Sequence, residues 1–75
     1  MIFGVGISIP GLTRDELSYL VQKHACDFDV SVLDIYGRID NSIYVKLKGE
    51  ENLVNMLDFL GSNGYQVELI SAKNE

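Results

Sequence analysis

The apolar residues of this chain change their spacing repeatedly along its length. Phe3, Val5, Ile7 and Ile9 alternate, then Leu17, Leu20 and Val21 follow a helical period. Phe28, Val30 and Val32 alternate again, and Leu33 and Ile35 continue on the opposite phase. Ile43, Val45 and Leu47 alternate, Leu53, Met56, Leu57 and Leu60 return to helical spacing, and Val67 and Leu69 close on alternation. Alternate residues share one face of a strand, whereas residues three and four apart share one face of a helix. The pattern therefore reads β-α-β-β-α-β, the order of a split βαβ sandwich. In that sandwich a four-stranded antiparallel sheet carries both helices on one face.

Punctuation residues set the expected boundaries. The first strand spans Ile2–Ile9, with Ile2, Gly4, Gly6 and Ser8 on the face opposite its apolar stripe. Glycine weakens a strand interior, so Gly4 and Gly6 imply that something approaches that face closely. Pro10-Gly11 ends the strand. Thr13 then stands as N-cap with Glu16 three residues on, a capping box, and Leu12 and Leu17 occupy the positions of a hydrophobic staple. The helix is expected to stop near Ala25 or Cys26. The second strand is read over Phe28–Tyr36 with a bulge near Val32-Leu33, where the phase changes. Gly37–Asn41 forms the hairpin turn, Asp40 and Asn41 being tolerant of left-handed backbone. Ser42–Lys48 is the third strand, and Glu50-Glu51 place acids in the first turn of the second helix, where the dipole favours them. Gly61 and Gly64 offer left-handed stops, Tyr65–Ile70 is the last strand, and residues 71–75 read as a frayed polar tail. The whole of 1–75 reads as a single ferredoxin-like α+β domain.

Composition narrows the function classes. At 75 residues the core is small, and such a domain buries roughly 60–65% of its unfolded surface, which favours pairing with a second copy. The net charge of −5, without a basic stripe, argues against nucleic acid and against anionic membranes. No run is long enough to span a bilayer, and no basic segment precedes the apolar start, so neither a membrane anchor nor a signal peptide is expected. The single cysteine, Cys26, has no internal disulfide partner. A cytoplasmic location is expected.

The residues assemble no catalytic constellation. His24-Ala25-Cys26 invites a metal reading, but Asp27 and Asp29 are the nearest carboxylates and strand alternation splays them. Residues two apart at a helix end do not face one another, so a Cys/His nucleophile pair is not expected either. Gly4-Val5-Gly6 lies inside a strand and lacks the strand-to-helix turn of a phosphate-binding loop. Tyr44 reads as a lone outward aromatic, short of an RNA-stacking platform. The expectation is no enzyme, no metal and no cofactor. What survives is Pro10-Gly11-Leu12, which leads into the N-terminus of the first helix. Free backbone N–H groups there favour a carboxylate.

Short motifs in order along the chain resemble one family. Asp29-Val30-Ser31-Val32-Leu33 resembles the Asp-Val-Asn-Ile-Leu signature of the NIL domain. Leu17-Ser18-Tyr19-Leu20 resembles its first-helix Ile/Leu-Ser-x-Leu, and Val45-Lys46-Leu47-Lys48-Gly49 is similar to its Val-x-Leu-x-Gly. Phe59-Leu60 followed by Gly64-Tyr65-Gln66-Val67-Glu68-Leu69-Ile70 resembles its ending. Pro10-Gly11-Leu12 is similar to the Pro-Gly-Leu loop of the broader ACT family. Ser31 stands where the signature has Asn, and Asp27 where a helix-ending Gly is usual. NIL domains are ACT-like, end methionine-importer ATPases, bind methionine and regulate transport.

The resemblance implies a small regulatory domain, commonly a homodimer with an amino acid such as methionine near the subunit interface, acting in trans on a transporter or enzyme. Ser31, Leu33 and Ile35 are expected to form one wall of the ligand site, and Pro10, Gly11 and Leu12 to present the helix N–H groups. Ile2, Gly4, Gly6, Leu33, Ile35, Tyr44 and Ile70 are expected at the interface. The alternative from another class is a pure dimerisation or protein–protein interaction module with no small ligand.

Overall fold

A computed structural model describes residues 1–74 and contains β1 (Ile2–Ser8), α1 (Arg14–Asp27), β2 (Ser31–Gly37), β3 (Ile43–Lys48), α2 (Glu51–Ser62) and β4 (Gln66–Lys73). The strands form one antiparallel sheet in the order β2-β3-β1-β4, so β2 and β4 are its edges. α1 packs against β2 and β3, and α2 against β4, both on one face. This is the ferredoxin-like βαββαβ arrangement that the apolar spacing dictates.

The core is the sum of the stripes read from sequence. Val5 and Ile7 of β1 and Ile43, Val45 and Leu47 of β3 meet Leu17, Val21 and Ala25 of α1 and Leu53, Met56 and Leu60 of α2, all fully buried. Each of the larger side chains contributes about 1.5–3 kcal/mol on leaving water. Two residues of those stripes fall short: Leu20 is only half-buried at the margin, and Leu69 is 57% exposed.

Both helices close in the same way, and this moves one boundary. At the end of α1, the Val30 N–H reaches the Ala25 carbonyl at 2.8 Å and the Asp29 N–H reaches that of Cys26 at 3.2 Å. At the end of α2, Tyr65 reaches Leu60 at 3.1 Å and Gly64 reaches Gly61 at 3.3 Å. These crossed bonds are Schellman motifs, which need a left-handed residue just past the cap. Gly64 supplies it at φ 88°, whereas Asp29 supplies it at φ 58° without being glycine. Residues 28–30 are therefore used to stop α1, and β2 begins at Ser31, not Phe28. Asn52 clamps this exit, its amide donating to the Phe28 and Asp29 carbonyls at 3.0 and 2.8 Å.

The end of the chain differs more. β4 continues past Ile70, and Ser71, Ala72 and Lys73 pair with Gly4, Phe3 and Ile2. The expected frayed tail is thus a strand as far as Lys73, because β1 presents a free edge there that needs a partner; Glu75 lies outside the described residues. The bulge expected in β2 is present, between Val32 and Asp34, and β4 carries another opposite Gly4/Val5.

Candidate functional site

The face of the sheet away from the helices begins with the glycines of β1. A Cβ on Gly4 would lie 2.5 Å from the Tyr44 hydroxyl and 2.6 Å from the Ser71 hydroxyl; one on Gly6 would lie 2.5 Å from Arg38 Nη1. The close approach implied by the two glycines is therefore made by the chain's own side chains, which lie down over β1. Tyr36 stacks on Tyr44 with ring centroids 4.9 Å apart, so Tyr44 is not alone. Arg38 Nη1 stands 3.8 Å from Glu68 Oε1.

At the end of the sheet where β1 runs out, the hairpin turn, the Pro10-Gly11-Leu12 connection and the start of β4 converge. Arg14, the first residue of α1, crosses Gly37 and donates from Nη1 to the Arg38 carbonyl at 2.9 Å, fixing the turn to the helix. Within the turn, Asp40 Oδ1 accepts from the Ser42 N–H at 3.2 Å and from the Ser42 hydroxyl at 2.5 Å. Those two bonds, with the Arg38 charge adding to them, hold the Asp40 carboxyl below its ordinary range. Asn41 takes the left-handed position at φ 67°.

Two adjoining hollows result. One, about 230 Å³, is bounded by residues 8–12, Asp40, Asn41 and Gln66. The other, about 300 Å³, lies on the open sheet face among Gly6, Ser8, Arg38, Asp40, Ser42, Gln66, Val67 and Glu68. A third, about 440 Å³ and apolar, lies along α1 between Leu12 and Leu20.

Several expected site residues are placed differently. Pro10, Gly11 and Leu12 do line a hollow, but the N-terminus of α1 is already capped. The Thr13 hydroxyl accepts from Glu16 N–H at 3.2 Å, and the Glu16 carboxylate accepts from Thr13 N–H at 2.9 Å. That backbone bond keeps Glu16 below its ordinary pKa, so a carboxylate of the chain itself already sits over the terminus. Ser31 pairs with Lys48, in line with Ile2, whereas Gly37 pairs with Ile43, in line with Ile7. At about 3.3 Å per residue, Ser31 lies about 20 Å from the hairpin end. Within one protomer, Ser31 and Pro10–Leu12 sit at opposite ends of the sheet.

Ile35 requires a further correction. It pairs with Val45, is half-buried and packs on the core, so it turns toward the helices and away from the open face. The bulge causes this, because the extra residue returns Ile35 to the phase of Val32. Ile2, Tyr44 and Ile70 belong to the open face, and Leu33 sits half-exposed in the bulge. Gly4 and Gly6 are buried beneath the side chains that cover them. The open face is also more polar than expected, since Lys46, Lys48 and Lys73 stand there beside Asp34 and Glu68.

Arg38, Asp40, Gln66 and Glu68 escaped the sequence reading as site residues. The usable signal was Gly6, whose missing side chain makes room for Arg38. His24 packs edge-on against Phe59 and Tyr65 at 5.2 and 5.9 Å, and its Nε2 lies 3.4 Å from the Tyr65 hydroxyl. Cys26 is exposed. Among the described residues no three His, Cys, Asp or Glu side chains gather to hold a metal ion, and no helix is long and apolar enough to cross a membrane.

No family model matches the sequence, and no curated protein matches it. Among solved structures, the prephenate dehydratase from Staphylococcus aureus subsp. aureus Mu50 is similar over 97% of this chain, with a TM-score of 0.76 and 18% identity. The chain spans about 30% of that enzyme's length. The likeness is one of fold, the ferredoxin-like βαββαβ arrangement.

Proposed function

We propose that this chain is a non-catalytic regulatory domain of the NIL/ACT type that works as a homodimer and binds a small amino acid, methionine first among the candidates. The observation that carries the reading is the separation of the two half-sites. Pro10-Gly11-Leu12 bounds a hollow at one end of the sheet, and Ser31 and Leu33 lie toward the other end, on the unpaired edge strand β2. Antiparallel pairing of β2 with β2 of a second copy about a two-fold axis sets the start of one strand beside the end of the other. Ser31 and Leu33 of the second copy then come to the end that carries Pro10–Leu12.

The edge suits that role. Leu33 and Tyr36 are 48% and 53% exposed, which is a large apolar surface for an edge strand to leave in water. Lys46 stands across from Asp34, so the edge carries its own counter-charge. A short hairpin and a connecting turn supply the ligand end. The fold itself assigns no function. Cytoplasmic location and action in trans on a transporter or enzyme belong to the same proposal.

Calorimetry against the twenty amino acids, together with the mass in solution, tests it. A dimer with a heat of binding for at least one amino acid is expected, and Leu33→Glu abolishes the dimer together with the heat that depends on it. A dimer silent across the panel would leave a self-association module only, a reading to which the exposed Leu69 and Ile70 on the other edge also lend themselves.

A further inference from the structure

The hollow on the open sheet face is built within one protomer and needs no second copy. Arg38 is its centre. The side chain is 35% exposed and lies flat on β1 because residue 6 has no Cβ to lift it. The nearest carboxylate oxygen, Glu68 Oε1, is 3.8 Å away, longer than a hydrogen bond. The guanidinium lines the hollow in a loose ion pair with Glu68, and no side-chain hydrogen bond to another described residue occupies its five donors. Asp40 borders the same space. Both bonds from Ser42 fall on Oδ1, which leaves Oδ2 uncommitted among the described residues.

One cation flanked by two carboxylates selects by charge. A lone anion meets the repulsion of Glu68 and Asp40, and a lone cation meets that of Arg38. A molecule carrying both charges close together satisfies all three. The volume, about 300 Å³, is at the small end of ligand pockets. We propose that this hollow binds a small zwitterion, its carboxylate on the Arg38 guanidinium and its ammonium between Glu68 and Asp40, as a site distinct from the one completed by a second copy.

The test is an amide NMR titration of the full chain with three probes: L-alanine, acetate and methylammonium. L-Alanine at millimolar concentration shifts the amides of Gly6, Ser42 and Gln66, and each half-charged fragment binds at least tenfold more weakly. Arg38→Gln weakens L-alanine binding at least tenfold. Gly6→Ala, which lifts Arg38 off the strand, does the same in a chain whose dispersed spectrum shows it folded. Absence of those shifts with L-alanine, equal binding of acetate alone, or unchanged binding by Arg38→Gln each overturns the proposal. Amino-acid shifts confined to Leu12 and Leu33 that survive Arg38→Gln would remove this hollow and leave the interface reading standing. Shifts at the hollow that survive Leu33→Glu would uphold the hollow as a site that needs no second copy and leave the interface reading to its own test.

Discussion

The two faces of β1 are built on opposite principles. Toward the helices it presents Phe3, Val5 and Ile7, and the space is filled by apolar side chains. Away from them it presents Gly4 and Gly6, and the space is filled by Tyr44 and Arg38 reaching back from β3 and the hairpin. The first face is fixed by volume. The second is a floor on which polar side chains are positioned, and that is where a binding chemistry can be tuned without disturbing the core.

Substitutions on the two faces should separate stability from binding. The largest effect belongs to the core. Leu47→Ala, at a position with no exposure, removes about 2–5 kcal/mol of stability and lowers the urea midpoint accordingly. On the open face the two glycines part company. Gly4→Ala drives a methyl against the stiff Tyr44 ring and the Ser71 hydroxyl, an overpacking that costs about 1–3 kcal/mol by the same measurement. Gly6→Ala meets only the far end of a flexible arginine, so stability changes by no more than about 1 kcal/mol and can rise, since alanine suits a strand interior better than glycine. An equal loss at positions 4 and 6 would mean that the two side chains are held equally rigidly, and the contrast drawn between the tyrosine and the arginine would be wrong.

The smallest effect is electrostatic. Asp40 and Glu16 both have carboxyls lowered in the folded chain, the first by Ser42 and the second by Thr13. A lowered folded pKa means that the stabilisation is present above the unfolded carboxylate range and is lost as pH falls through the folded value. Stability should therefore decline on acidification below the ordinary carboxylate range. Asp40→Asn should flatten part of that decline in thermal melts recorded across pH. A variant as acid-sensitive as the parent would remove Asp40 as a contributor.

The same contrast explains what could be read from the sequence. The helix-facing side was legible because apolar spacing is a direct record of burial: Val5, Ile7, Val45, Leu47, Leu53, Met56 and Leu60 all lie where their period puts them. The Thr13–Glu16 capping box was legible for the same reason, being local. The open face was legible only in outline. Gly6 announced a close neighbour, but that neighbour is Arg38, distant in sequence and brought there by the hairpin.

Other misreadings arise, like this one, from constraints that apolar spacing does not record. Ser71–Lys73 looks like a tail until the free edge of β1 is considered. Ile35 looks outward until the bulge resets its phase. Asp29 adopted a left-handed cap that sequence alone would have assigned to glycine. The separation of Ser31 from Pro10–Leu12 is likewise a property of the register, invisible before the strands are paired.

The proposed regulatory site stands or falls on whether a second copy closes that separation. An equimolar mixture of carbon-13-labelled and unlabelled chains, observed by isotope-filtered NOE spectroscopy, tests it directly, since only contacts between copies survive the filter. Cross-peaks joining the Leu12 methyls of one chain to the Leu33 methyls of the other are expected. A monomeric mass with no such cross-peaks, or a dimer whose filtered contacts arise only from Leu69 and Ile70 on the opposite edge, would contradict it.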